Sequence, residues 1–179
     1  MSGRVRESVR RMEGYVPGEQ PSDPGVVKLN TNENPYPPSP RVLEALQGVP
    51  AADLARYPDP VCRRLAEQVA GMHGCRREQV FIGNGSDEVL ALCTRAFVEN
   101  DGAIGFLDPS YSLYPVLAAI RDVATEPVPL ADDFGWPSPP APTCGLFFLT
   151  NPNAPTGIQV PAGTLRDFCR DAAGVVVID

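Results

Sequence analysis

Four groups in this sequence could do chemistry together: the turn Gly83-Asn84-Gly85-Ser86-Asp87, Tyr111, Asn153 and Asp179. The glycine turn opens a helical stretch, and the backbone N–H groups at a helix start are donors for a phosphate. Ser86 adds a hydroxyl; the Asp87 carboxylate is awkward beside an anion, so the main chain would do most of the holding. Tyr111 could offer its ring face to a flat heteroaromatic ligand. Asn153 lies in a turn stiffened by Pro152, Pro155, Gly157 and Pro161, and could aim an amide donor at a ligand oxygen. Asp179 ends the run Val175-Val176-Val177-Ile178, where a carboxylate must find a cation or hydrogen-bond donors. Paired with a pyridine nitrogen, it would keep that ring protonated, and a protonated ring is an electron sink for a carbanion at a substrate α-carbon. Each group also has an ordinary alternative: a helix N-cap, a half-buried core aromatic, a turn-forming Asn, and an Asp satisfied by neighbouring N–H groups. Tyr114, one turn beyond Tyr111, reads as a packing residue.

The elements that must position these groups alternate between strand and helix. Residues 1–38 read as an irregular arm, because Pro17, Pro21, Pro24, Pro35, Pro37 and Pro38 forbid long helices. Ser39-Pro40 starts a short helix that stops at Gly48. A second helix is expected from Pro60 to His73, N-capped by Asp59, with Val61, Leu65, Val69 and Met72 as its apolar stripe. Val80 to Ile82 reads as a short buried strand, followed by a helix from Asp87 to Val98 that is apolar nearly all round. Further strands are expected at 103–107, 124–130, 145–150 and 174–179, with helices at 111–121 and 164–173 and a Pro-rich loop at 132–143. This alternation implies an α/β fold, with three α/β/α layers around a mostly parallel sheet. Ligands in such sheets bind beyond the carboxyl ends of the strands, which is where all four chemical groups fall.

Composition narrows the classes. A chain of 179 residues can bury a sizeable core. A net charge of −7 with no basic stripe disfavours nucleic acid. No apolar run approaches the ~20 residues that span a bilayer, and the basic N-terminus lacks the apolar stretch of a secretory signal, so no membrane association and a cytoplasmic location are expected. Five scattered cysteines without a Cys-x-x-Cys pair, and His73 as the one histidine, argue against a disulfide framework or a metal site.

Taken together, several segments resemble fold-type I, pyridoxal-phosphate-dependent aminotransferases, and among them the histidinol-phosphate aminotransferase family. They are Gly14 to Gly18, Lys28 to Pro35, Arg56-Tyr57-Pro58-Asp59, Gly83 to Glu88, Asp108 to Tyr114, Asn151 to Gly157 and Val177-Ile178-Asp179. Asn151 to Gly157 is close to the family's NPxNPTG pattern, with Ala154 where a second Asn is usual. The resemblance implies pyridoxal 5'-phosphate as cofactor. Gly85, Ser86 and Asp87 would bind its phosphate, Tyr111 would stack on its ring, Asn153 would donate to its phenolic oxygen, and Asp179 would pair with its ring nitrogen. Tyr57 would reach the phosphate held by the other subunit of a homodimer, and Tyr15 and Asn34 would line the substrate pocket. The implied reaction moves an amino group between L-histidinol phosphate and 2-oxoglutarate in histidine biosynthesis. Relatives acting on aromatic amino acids or decarboxylating threonine phosphate share the cofactor residues, and a non-catalytic remnant is a further alternative.

One departure stands out. The family's Schiff-base lysine follows the Asp strand, and here Lys28, in the arm, is the one lysine. The chain therefore reads as a fragment: an arm over 1–38 and, over 39–179, the N-terminal portion of the large cofactor-binding domain. The C-terminal remainder and any catalytic residue are absent. By itself it is expected to be inactive, and to associate through an open sheet edge.

Overall fold

The computed structural model describes residues 4–15, 17–23 and 25–179. Val16 of the arm motif and Pro24 of the proline series lie outside the described residues. The chain forms two compact units, Met1–Tyr15 with Gly83–Asp179, and Val16–Ile82.

In the first unit a short helix α1 (Glu7–Arg10) precedes the α/β part. The second unit carries α2 (Pro40–Gln47), α3 (Ala51–Leu54), α4 (Arg63–His73) and a 3-10 turn at Arg77–Gln79. Back in the first unit follow α5 (Ser86–Phe97), β1 (Ala103–Asp108), α6 (Leu113–Arg121), β2 (Ala124–Pro129), β3 (Leu146–Leu149), α7 (Ala162–Asp171) and β4 (Val175–Ile178). All strand pairs are parallel, in the order β2-β1-β3-β4.

Alternation along the strands feeds two cores. Ile104, Phe106, Leu146 and Phe148 face α5 and α6, meeting Leu90, Leu113, Tyr114, Leu117 and Ala118. Leu107, Phe147 and Leu149 face the other way, onto Leu165 and Phe168 of α7 with Val160 and Cys144. The sheet is thus covered on both faces, as the α/β/α expectation requires. The crossover from β2 to β3 is a Pro-rich loop rather than a helix. It is anchored by Trp136, whose ring meets Phe168 edge to face at 5.2 Å.

Several local expectations are corrected. Val80 to Ile82 joins no strand, and Phe81 is 66% exposed; three apolar residues are too short a signal to separate a strand from a connector. The helix expected from Pro60 begins at Arg63, because Cys62 turns into the left-handed region (φ 43°). Asp59 still serves that turn: its carboxylate accepts from Val61 N at 3.1 Å and Arg63 N at 2.8 Å. The buried residues of α4 are Ala66 and Ala70, while Val61, Leu65 and Met72 of the expected stripe are exposed. In α5 only Leu90 and Thr94 are fully buried, and Leu92 and Phe97 are exposed. The short helices α1 and α3 were not foreseen by periodicity, being one turn each.

β1 leads through α6 to β2 on one side of it, whereas β3, on its other side, leads through α7 to β4. The chain therefore changes direction between β1 and β3. The crevice beyond their carboxyl ends is where a sheet of this kind holds a ligand.

Candidate functional site

The residues just after the strand ends build one rim. Ser110 and Tyr111 follow β1, Thr150 to Asn153 follow β3, and Asp179 follows β4. Asp179 is fixed by its main chain: its N–H donates to Leu149 O at 3.0 Å, and its carbonyl accepts from Asn151 N at 2.9 Å. Strand parity places it on the α6 side of the sheet. There the Tyr114 hydroxyl donates to Asp179 Oδ2 at 2.8 Å and lies 2.7 Å from Thr150 Oγ1. With its one hydrogen given to Asp179, Tyr114 accepts from Thr150. Ser110 Oγ stands 3.2 Å from both Thr150 Oγ1 and Asn153 Oδ1. A continuous set of polar side chains thus runs from Asn153 to Asp179 across the tips of β1, β3 and β4.

Asn153 is 3% exposed, and its amide is fully engaged. Nδ2 donates to Pro109 O and to Thr156 Oγ1, each at 3.1 Å, and Oδ1 accepts from Ser110. A ligand oxygen would have to displace Thr156 to receive a hydrogen bond from it. Asn151 staples the same turn, exchanging two hydrogen bonds with the main chain of Val160 (2.8 and 3.3 Å).

The glycine turn lies in the same unit. Gly85 takes φ +81°, a conformation open to glycine, and this turns the chain into α5. The first N–H groups of α5 have no intrahelical partner, so Ser86 and Asp87 present amides at the helix start. Both carboxylates of that first turn are engaged by the protein: Glu88 Oε2 accepts from Asn84 N at 2.5 Å, and Asp87 Oδ1 accepts from the Tyr111 hydroxyl at 3.3 Å.

Tyr111 links the two ends of the rim. Its ring meets Tyr114 edge to face at 5.6 Å and Tyr15 at 6.1 Å. Burial, then Tyr15 and the Asp87 charge, push its hydroxyl well above the ordinary tyrosine range. Tyr114 is fully buried and stacked on Phe148 at 4.7 Å. Burial is also the main cause raising its hydroxyl, opposed by Thr150 and reinforced by Asp179.

Gly85, Ser86, Asp87, Tyr111, Asn153, Asp179 and Tyr15 therefore fall in one unit, with a linked path from Asp87 through Tyr111 and Tyr114 to Asp179. Tyr57 and Asn34 belong to the other unit. There Tyr57 is fully exposed, and Asn34 Oδ1 accepts from Tyr36 N at 3.0 Å in a local turn. Lys28, in that unit too, pairs with Glu33 at 2.5 Å and donates to Thr31 at 2.8 Å; its hydrogen bond, and then its charge, hold the Glu33 carboxyl below the usual range. Sequence reading passed over Ser110, Thr150 and the polar role of Tyr114. The rule that singled out Asp179, a polar residue directly after a strand, would have found Thr150 as well. Among the described residues no three metal-ligating side chains converge. A cavity of about 410 Å³ lined by Arg6, Thr94, Arg95 and Arg121 shares no residue with this rim.

The profile of the family described as "Aminotransferase class I and II" matches residues 24–179. Histidinol-phosphate aminotransferase 1 of Burkholderia pseudomallei (strain K96243) is 50% identical over 184 residues, covering 100% of this chain and 52% of the relative. Histidinol-phosphate aminotransferase 1 of Methylococcus capsulatus is 45% identical, covering 96% of this chain and 48% of the relative. Among solved structures, a histidinol-phosphate aminotransferase from Sinorhizobium meliloti in complex with pyridoxal-5'-phosphate shares the fold. Its TM-score is 0.80 at 22% identity, covering 100% of this chain and 51% of that one. The chain spans about half the length of the relatives it matches. With the family pattern covering most of its residues, and the fold shared along its whole length, the chain belongs to the class I and II aminotransferases.

Proposed function

We propose that the whole protein is a pyridoxal-phosphate-dependent aminotransferase that moves an amino group between L-histidinol phosphate and 2-oxoglutarate in histidine biosynthesis. Identity of 50% to a histidinol-phosphate aminotransferase along the whole chain supports the substrate assignment. The observation that carries the chemistry is Asp179, a carboxylate at the tip of β4, linked through Tyr114 and Tyr111 to the start of α5.

The donor set suits such a cofactor. Helix-start amides at Gly85, Ser86 and Asp87 match a phosphate. Tyr111 is half-buried, with an aromatic ring to cover a flat heterocycle, and Asp179 Oδ1 accepts no hydrogen bond from the described residues. Bound there, pyridoxal phosphate supplies an electron-withdrawing ring that stabilises negative charge at the substrate α-carbon. Asp179 would hold the proton on the ring nitrogen. Asn153 would donate to the phenolic oxygen, which requires the release of Thr156. Tyr15, in contact with Tyr111, would line the substrate side, a role the family resemblance gives to Asn34 as well. The exposed Tyr57 reaches the phosphate of a second subunit in a homodimer. Lys28 is given no covalent role, since Glu33 holds its ammonium. Residues 39–179 would be the N-terminal portion of the cofactor domain and residues 1–38 its arm. Five free thiols suit a reducing, cytoplasmic compartment.

The test is titration with pyridoxal phosphate, followed by absorbance before and after borohydride. Saturable uptake without covalent labelling is expected, and reductive labelling of Lys28 would overturn the assignment. For the whole protein, amino transfer from histidinol phosphate is expected to outpace transfer from aromatic amino acids; the reverse order refutes the substrate.

A further inference from the structure

We propose that Tyr114 is a positioning residue for Asp179: its hydroxyl, braced by Thr150, holds one carboxylate oxygen and leaves the other for the cofactor's ring nitrogen. The inference rests on the reading of Asp179 given above. It assigns a role to a residue whose place in the sequence marks it only as core.

The geometry has three parts. The Tyr114 ring is immobilised, fully buried and stacked on Phe148 at 4.7 Å, so its hydroxyl has a fixed position. That hydroxyl stands 2.8 Å from Asp179 Oδ2, the separation of a charge-assisted bond. Thr150 Oγ1, 2.7 Å away, donates the hydrogen that Tyr114 can accept, so the hydroxyl is directed and does not rotate between partners. Among the described residues, Tyr114 is the side chain that hydrogen-bonds the Asp179 carboxylate. An exposed carboxylate without such a brace would sample several rotamers, and ordering it would weaken its pairing with a ring cation. Polarisation along the Thr150–Tyr114–Asp179 series adds to the fixation.

A packing role and a positioning role separate in one ratio. Binding of pyridoxal phosphate to the chain is compared with binding of the analogue that carries C–H in place of the ring nitrogen. The parent chain should favour the nitrogen ring, and Asp179→Asn should abolish the preference. Tyr114→Phe keeps the aromatic core and should lower the preference about two- to tenfold, the usual worth of one hydrogen bond. Thr150→Val should lower it by less, and serves as the second variant should Tyr114→Phe fold poorly by circular dichroism. A preference unchanged in both variants, or affinity for the two cofactors falling in parallel, reduces Tyr114 to packing and overturns the proposal. A parent without preference, or a preference that survives Asp179→Asn, refutes instead the Asp179 reading beneath it. A chain that takes up neither compound refutes the cofactor reading itself. Without any cofactor, tyrosine ionisation followed at 295 nm should shift to lower pH in Asp179→Asn; no shift also overturns the proposal.

Discussion

The position of Asp179 depends on a glycine five residues before it. Gly174 joins α7 to β4, and a Cβ there would stand 2.2 Å from the carbonyl oxygen of Cys144 and 2.6 Å from that of Gly145. Carbon–oxygen contacts settle at about 3.3–3.6 Å, so Gly174→Ala demands a movement of roughly 1 Å. Both obstacles are backbone, and neither can swing aside as a side-chain tip could. The Gly145 oxygen also accepts Val175 N at 3.1 Å, which is the first rung holding β4 to β3. Forced overpacking costs about 1–3 kcal/mol and a lost rung about 0.5–1.5, together roughly 2–4 kcal/mol. At about 4 °C per kcal/mol for a unit of this size, the unfolding midpoint should fall by about 8–15 °C. Gly163→Ala is the matched control. It lies in α7, nothing stands within 4 Å of its added Cβ, and removing a helical glycine should raise the midpoint by about 2–4 °C. Thermal unfolding followed by circular dichroism at matched concentration reads both. The reasoning fails if Gly174→Ala unfolds within 2 °C of the parent, or if the two variants move in the same direction.

Three other outcomes follow from the same structure. The folded chain holds the Tyr111 and Tyr114 protons more tightly than the unfolded chain, in which tyrosine ionises near about 10. Their contribution to stability is therefore complete below about pH 10 and drains above it; Tyr114→Phe should make the alkaline fall in the midpoint shallower. Cys144 is 6% exposed and its thiol is pushed up by burial, so iodoacetamide should modify it only after unfolding, as peptide mapping will show. Asp87→Asn removes a negative charge at the start of α5 while leaving its amides, so affinity for inorganic phosphate should rise about two- to fivefold at low salt. A weaker affinity by calorimetry would mean that the carboxylate, through Tyr111, organises the turn.

Legibility in the sequence followed range. β1 and β3 were visible because parallel strands covered on both faces are continuous apolar runs, Ile104 to Leu107 and Leu146 to Leu149; β4 carries the same kind of run, Val175 to Ile178, although its two end residues are exposed. α6 and α7 were visible from periodicity, each starting within two residues of its expected position. What failed was decided by neighbours far along the chain. Val80 to Ile82 has the composition of a strand, yet takes no place among the four that pair. The apolar stripe of α4 has the right spacing, but the residues actually buried are its alanines.

The site shows the same division more sharply. A residue directly after a buried strand is forced to the rim by topology alone, so Tyr111, Asn153 and Asp179 could be placed there from order and spacing. What each rim residue bonds to is another matter, because the partners are 24, 44 and 65 residues apart. No local pattern distinguishes a tyrosine whose hydroxyl ends in the core from one whose hydroxyl reaches a carboxylate; in both cases the ring is buried and the spacing helical. The deciding quantity is the depth of the ring against the height of the strand tip. Here Phe148 sets that depth and β4 sets that height, which is why the Tyr114 hydroxyl emerges beside Asp179. By the same logic the amide of Asn153, which sequence reading left free for a ligand, is occupied: Thr156 of its own turn and Pro109, just after β1, reach it first. A rim built this way is preorganised before any ligand arrives: a ligand gains a hydrogen bond from Asn153 by replacing Thr156, and meets Asp179 at the oxygen that Tyr114 leaves open.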